Sequence, residues 1–216
     1  MRTLITLTVA LAAGCVSGTG IRPVPAAPVI AMLDQDVARR GAVPWSDDLL
    51  SWEDFKGPAP ERRGNRAAET AYTILHAAQC TGTRFEFRVI AAMLPDQSWV
   101  AANVRQDPAL APRTLRHEQT HFDLAEVHAR RLRRHFSGLY NPCGRSTGDL
   151  DTLAGQFMRE ETEAQLRYDD ETSHGRLDQP QRGWDADVAR QLLALEAFGD
   201  RARRPPMQLF RMRPEM

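Results

Sequence analysis

The chain has 216 residues, with 28 lysine and arginine residues against 28 aspartate and glutamate residues, so its formal net charge is zero. A neutral chain has no long-range field that would draw it to nucleic acid, and we expect no nucleic-acid partner. The length suits one ordinary domain with flanking segments, because a typical domain has about 150 residues.

The N-terminus has the pattern of an export signal. Arg2 is followed by a short apolar run that ends at Ala13, whereas a membrane-spanning helix needs about 18 apolar residues or more. We therefore predict that residues 1–14 are a cleaved signal peptide and that the protein is exported to the cell envelope or periplasm. The sequence Ala12-Ala13-Gly14-Cys15 resembles a bacterial lipobox, so we expect a lipid anchor on Cys15 that holds the protein to a membrane. The alternative is an ordinary signal peptide with an incidental cysteine.

The composition divides the rest of the chain into a tether, a domain and a tail. Residues 15–44 are rich in proline and glycine and are predicted to form the tether, with part of the segment around residues 29–38 ordered against the domain. Residues 45–200 are predicted to form the folded domain. The arginine- and proline-rich residues 201–216 are predicted to be a loose tail.

The hydrophobic pattern changes from strands to helices along the domain. Large apolar residues within 45–57 predict one or two helical turns, and alternating residues predict a hairpin and a short third strand. The predicted strands span residues 69–80, 84–93 and 98–101. The predicted helices span residues 112–136, 149–173 and 186–198. This order predicts an α+β fold, in which a small antiparallel sheet is followed by packed helices.

Two further cysteines, Cys80 and Cys143, lie inside the predicted domain. In an exported protein two such cysteines usually pair, so we predict a disulfide bond between them. The alternative is two free buried thiols.

The most informative motif is His117-Glu118-Gln119-Thr120-His121, which matches the HExxH pattern of zinc-dependent hydrolases. It lies in a predicted helix, where residues four apart share one face, so both imidazoles can bind one Zn²⁺ ion. Zinc activates a water molecule and polarises a scissile carbonyl, and Glu118 is predicted to be the general base. Leu124 and Val127 stand where the metzincin extension requires glycine and histidine, which excludes that variant.

Three segments, taken together, resemble one bacterial family. They are residues 52–57, with the sequence WEDFKG, residues 117–126, with HEQTHFDLAE, and residues 168–175, with YDDETSHG. The family is known as domain of unknown function 922 and is regarded as a group of secreted zinc-dependent proteases. The resemblance covers roughly residues 45–185, and it implies a zincin-like fold with Zn²⁺ as the cofactor.

The resemblance also bears on the third metal ligand. It implies His174 as the third ligand beside His117 and His121, with Asp169 as the main competitor. Glu161 is a further alternative, because it falls on the apolar side of its predicted helix, where a solvated glutamate is not expected.

Three other residues have open roles at this stage. Tyr168 is expected either to stabilise the developing oxyanion as a catalytic residue or to be a core aromatic with a satisfied hydroxyl. Asp123 and Glu126 either orient the ligand imidazoles or are solvated.

The sequence therefore predicts a zinc metallopeptidase that hydrolyses a protein, a peptide or a peptidoglycan stem. The alternative is a zinc-stabilised envelope lipoprotein that acts in binding or assembly. In that case a fourth protein ligand would close the coordination sphere of the metal.

Overall fold

The structure, a computed structural model, describes residues 29–64 and 66–200. The predicted signal peptide, the predicted anchor at Cys15 and the predicted tail lie outside these residues. No helix in the described ranges combines the length and the apolar character needed to cross a membrane.

Helices and short strands alternate in the first half of the described chain, and helices dominate the second half. The helices are α1 (Val29–Arg39), α2 (Ala102–Arg105), α3 (Leu110–Ser137), α4 (Thr147–Thr172) and α5 (Asp178–Ala194). The strands are β1 (Val43–Pro44), β2 (Ala68–Glu69), β3 (Tyr72–Thr81), β4 (Arg84–Met93) and β5 (Trp99–Val100). Short 3₁₀ turns span Trp52–Asp54, Pro95–Gln97, Pro142–Gly144 and Glu196–Phe198.

The strands form two small antiparallel sheets. In the larger sheet β4 lies between β1 and β3, and the predicted hairpin of β3 and β4 is confirmed. The smaller sheet pairs β2 with β5, which is the predicted third strand. The sequence predicted one strand from residue 69 to residue 80, but β2 ends at Glu69 and β3 begins at Tyr72. The break between them places Thr70 beside α3.

Helices cover both faces of the larger sheet. Successive side chains of a strand point to opposite faces, so Val89 and Ala91 of β4 face α3 while Ile90 and Ala92 face α1. On the α1 face, Leu33 is buried within the region predicted as a tether, in the stretch where partial ordering was expected. The α3 face is the main core, and its buried members outside β4 are Ala125, Ala129, Leu132, Phe136, Leu150 and Ala154.

A buried ion cluster fixes α3 against its neighbours. Glu126 Oε1 accepts hydrogen bonds from Arg130 Nε and Arg133 Nη1, both at 2.8 Å. The same arginines donate to backbone carbonyls of β4 and α5, at Val89 (2.8 Å) and Leu192 (2.7 Å). A buried charge is costly unless it is paired and hydrogen-bonded, and here all three side chains are. Glu126 is therefore neither solvated nor in contact with an imidazole.

Cys80 and Cys143 form a disulfide bond, with their Cα atoms 5.7 Å apart. The bond joins the end of β3 to the 3₁₀ turn after α3. The predicted disulfide is confirmed.

Two segments differ from the sequence-based expectation. Residues 45–57 contain a single 3₁₀ turn, although their aromatic side chains pack as a cluster around the buried Phe55. Helix α5 begins at Asp178, eight residues before the predicted start at residue 186. The predicted α+β class, with a small antiparallel sheet and several helices, is confirmed.

Candidate metal centre

Three ligand atoms from two helices converge beside the middle of α3. His117 and His121 lie one turn apart on α3, and their Nε2 atoms are 3.1 Å from each other. Asp169 of α4 points between them, with Oδ1 at 3.1 Å from His117 Nε2 and 3.0 Å from His121 Nε2. These three side chains form a group that is able to hold a metal ion.

The spacing of these three atoms fits a zinc ion. Ligand atoms bound about 2.0–2.1 Å from one tetrahedral Zn²⁺ ion lie about 3.3 Å from one another. The observed separations of 3.0–3.1 Å are close to that value. Two imidazoles and one carboxylate are also ligands that zinc accepts.

Glutamine side chains behind the imidazoles determine which ring nitrogen carries the proton. His121 Nδ1 lies 2.6 Å from Gln165 Oε1, and His117 Nδ1 lies 3.2 Å from Gln181 Oε1. An amide oxygen only accepts hydrogen bonds, so each Nδ1 carries the proton and each Nε2 keeps its lone pair. Two lone pairs and a carboxylate oxygen so close together repel one another unless a cation lies among them.

The charges at the site also favour a cation. Burial lowers the pKa of His121, but the hydrogen bond to Asp169 and the negative charges of Glu118 and Asp169 outweigh burial and raise it above its ordinary value. Burial raises the pKa of Asp169, but its hydrogen bonds to the two imidazoles outweigh that effect and hold the pKa well below its usual range. The metal-free group therefore stabilises positive charge between the carboxylate and the rings.

Glu118 lies beside the group and is not one of its members. Its side chain is buried, and Oε2 accepts a 2.6 Å hydrogen bond from the backbone N–H of Thr70. Within the described ranges Oε1 accepts no hydrogen bond, so it is the oxygen available to take a proton. This fixed carboxylate has the position and the chemistry of a general base.

His174 lies next to the group but is not a member of it. Its Nδ1 atom is 3.3 Å from Asp169 Oδ1, and its side chain is 43% exposed. Ser173, His174 and Gly175 all have positive φ angles, which turns the chain sharply after α4. The group that the structure assembles therefore contains Asp169, the competitor considered from the sequence, in the place of His174.

Gly175 packs directly against a candidate ligand. A Cβ atom at this position would lie only 2.8 Å from both Cβ and Cγ of His117. Arg113, in the first turn of α3, donates a 2.8 Å hydrogen bond to the Gly175 carbonyl and holds the turn in place. The turn after α4 thus forms a wall against which the His117 ring rests.

Tyr168 is a core residue of the site. Its side chain is fully buried, and its ring stacks on that of His117 with centroids 4.7 Å apart. Its hydroxyl lies 3.1 Å from the His117 carbonyl oxygen and 2.9 Å from Gln181 Oε1. Burial raises the pKa of this phenol, although hydrogen bonds partly oppose the shift. The placement matches the core role considered from the sequence, and it does not favour the oxyanion role.

The remaining acidic candidates lie outside the metal group. Asp123 accepts hydrogen bonds from Trp45 Nε1 and Gln119 Nε2, both at 2.8 Å, on the other side of α3. Glu161 is buried and accepts hydrogen bonds from Tyr72 and Gln165. Neither carboxylate contacts an imidazole.

Sequence reasoning missed the two glutamines that do contact the imidazoles. Gln165 lies four residues before Asp169, so the helical period of α4 would have placed both on one face. Gln181 offered no such signal, because it reaches His117 from α5 through tertiary packing alone.

The described surface also has two cavities, and neither includes a residue of the metal group. One, of about 540 Å³, lies at the C-terminal end of α3, and the other, of about 570 Å³, lies beside Trp45 and Asp123. The metal group reaches solvent through Asp169, whose side chain is 30% exposed. It is therefore an open surface site.

Comparison with known proteins places these residues in a family. Neither curated proteins nor solved structures give a match. A family model described as "Bacterial protein of unknown function (DUF922)" matches residues 47–175. The match covers more than half of the chain and includes both histidines and Asp169. The chain therefore belongs to the DUF922 family.

Proposed function

We propose that the protein is a zinc-dependent peptidase of zincin-like architecture, in which His117, His121 and Asp169 hold the ion. The observation that carries the proposal is the convergence of these three ligand atoms at zinc-like spacing, with the buried carboxylate of Glu118 beside them. A zinc ion bound there would supply Lewis-acid polarisation of a substrate carbonyl and would activate a water molecule.

Glu118 acts as the general base in this proposal. Oε1 takes the proton as the oxygen of water forms its bond to the carbonyl carbon of the substrate. The carboxylic acid then gives the proton to the nitrogen of the leaving amine as the C–N bond breaks, and Glu118 returns to its starting form. The hydrogen bond from Thr70 N–H keeps Oε2 in place throughout.

Three protein ligands and one open position are typical of catalytic zinc sites, whereas structural sites are closed by a fourth ligand. The group in the described chain has three members. A closed structural site would need His174 to move inward from its exposed position beside Asp169. The geometry therefore favours a catalytic site over the zinc-stabilised scaffold.

We propose that the enzyme works in the cell envelope, with residues 1–14 as its export signal and a lipid anchor on Cys15. The Cys80–Cys143 disulfide supports an oxidising compartment. The proposed substrates are proteins, peptides or peptidoglycan stems.

The test compares Glu118→Gln and His121→Ala, with His135→Ala as a control, because His135 is an exposed histidine of the same helix. Glu118→Gln should keep one equivalent of zinc and lose about 10²-fold or more in hydrolysis of a peptide and peptidoglycan library. His121→Ala should lose zinc binding, and His135→Ala should behave as wild type. If zinc-loaded wild type hydrolyses nothing and Glu118→Gln is indistinguishable from it, the peptidase proposal fails.

A further inference from the structure

Behind each candidate ligand imidazole lies a chain of hydrogen bonds that ends in a carboxylate. One chain lies on α4 and leads to His121, and the other lies on α5 and leads to His117. The two chains have the same chemical order, imidazole to glutamine amide to carboxylate, although they come from different helices.

On α4, Gln165 connects His121 to Glu161. The Oε1 atom of Gln165 faces His121 Nδ1 at 2.6 Å, and its Nε2 atom donates to Glu161 Oε1 at 2.9 Å. Nε2 also donates to the backbone carbonyl of His121 at 2.9 Å. The hydroxyl of Tyr72 donates to the same Glu161 oxygen at 2.5 Å, which holds the carboxylate.

On α5, Gln181 connects His117 to Asp185. Oε1 of Gln181 faces His117 Nδ1 at 3.2 Å, and its Nε2 atom donates to Asp185 Oδ1 at 2.7 Å. Thr120 Oγ1 donates to the same oxygen of Asp185 at 2.7 Å. Each carboxylate is thus fixed by a hydroxyl group on its far side.

The two ends of a glutamine amide have almost the same shape and opposite hydrogen-bonding character. If the oxygen faces the ring, Nδ1 must carry the proton and Nε2 is free to bind a metal; if the NH₂ group faces the ring, the tautomer reverses. A carboxylate can only accept, so it attracts the NH₂ end and turns the oxygen toward the imidazole. We propose that Glu161 and Asp185 are positioning residues, which select the metal-binding tautomer of His121 and His117 through the orientation of the intervening amides.

The spacing on α4 supports this assignment. Glu161, Gln165 and Asp169 are four residues apart in succession, so one face of the helix presents the positioning carboxylate, the amide and the ligand in order. Glu161 is only 6% exposed, which shows that its carboxylate is held inside the protein for a local partner. A buried carboxylate is otherwise a cost to folding.

The inference rests on the zinc site proposed above, and its test uses zinc affinity of the purified protein, measured by competition with a chelator. Glu161→Met removes the acceptor while keeping similar volume, and it should weaken zinc binding by about 10–100-fold. Glu161→Gln keeps an oxygen that can accept both bonds, so it should restore near-wild-type affinity. Glu163→Met is the matched control, because Glu163 is exposed on the same helix, and it should leave the affinity unchanged.

A second readout is independent of metal. Nitrogen NMR of the metal-free protein at alkaline pH, where both rings are neutral, should show the Nδ1–H tautomer for His121 in wild type and a mixture in Glu161→Met. If wild type fails to bind zinc, the proposed function fails, while the tautomer measurement still decides the role of Glu161.

The α5 chain provides an independent arm if Glu161→Met does not fold. Asp185→Leu should weaken zinc binding and change the tautomer of His117, with Asp187→Leu as the exposed control on the same helix. Wild-type zinc affinity and an unchanged Nδ1–H tautomer in either folded variant would overturn the assignment of its carboxylate.

Discussion

The turn that follows α4 offers a sharp test of the site, because Gly175 is in contact with a ligand. The change is Gly175→Ala, and its effect has two parts. The residue has a φ angle of +74°, so alanine there costs about 1–2 kcal/mol of stability from the left-handed backbone alone. The added methyl group would also meet His117.

The size of the second effect follows from the distances. The new Cβ atom would lie 2.8 Å from Cβ and Cγ of His117, whereas carbon atoms in contact are normally about 3.5–4.0 Å apart. One of the two groups must therefore shift by roughly 0.7 Å. Metal–ligand distances tolerate only about 0.2 Å, so Gly175→Ala should weaken zinc binding by about tenfold or more, as displaced outer residues of metal sites do.

Gly82→Ala provides the matched control. Gly82 lies in the turn between β3 and β4 with a φ angle of +63°, and a Cβ atom there would meet nothing within 4 Å. Both variants should lose similar stability in urea unfolding from the backbone term. Only Gly175→Ala should lose zinc affinity in a chelator competition. Equal zinc affinity in the two variants would mean that His117 is not a metal ligand, or that this wall does not hold it.

The remaining predictions concern the disulfide bond, the pH dependence and the anchor. Replacing both Cys80 and Cys143 by serine removes a cross-link over 63 residues, and urea unfolding should show a loss of about 4 kcal/mol in the chain-entropy model. In the metal-free protein the pKa of His121 is raised, so its contribution to stability is complete below the ordinary imidazole pKa of about 6.5 and is lost as the pH rises above it. The pKa of Asp169 is depressed, so its contribution is complete above the ordinary carboxyl pKa of about 3.9 and is lost as the pH falls. The pair should therefore stabilise the metal-free protein most between those two values, and Asp169→Asn should flatten this dependence in urea unfolding measured across pH. Mass spectrometry of the mature N-terminus should find an acylated cysteine at position 15, and a Cys15→Ala protein that stays in the membrane would contradict the anchor.

The sequence predicted those parts of the site that depend on local geometry. His117 and His121 share a face because they are four residues apart in a long uninterrupted helical pattern, and the structure keeps them so. The start of α5 was missed because Pro180 and Gly183 interrupt its pattern. Pro180 lies in the first turn of the helix, where a proline ring displaces no intrahelical hydrogen bond.

The third member of the metal group depends on features that a sequence does not display. His174 was favoured through the family resemblance, but its position follows from three successive positive φ angles that only the folded chain reveals. Asp169 stands one residue after the core residue Tyr168, and which of several acids on α4 turns inward depends on how that helix packs on α3. Local period alone could not separate them.

The disulfide bond has a consequence for the order in which the protein matures. Reduced thiols deprotonate to soft thiolates, which are strong zinc ligands, and metals bind such groups even in unfolded chains. The Cα atoms of Cys80 and Cys143 lie 5.7 Å apart in the folded protein, so the reduced pair would offer zinc a second two-thiolate binding position. Formation of the bond removes that competitor. Oxidation should therefore precede metallation, and zinc stoichiometry measured on the reduced protein would count ions that the oxidised protein does not hold.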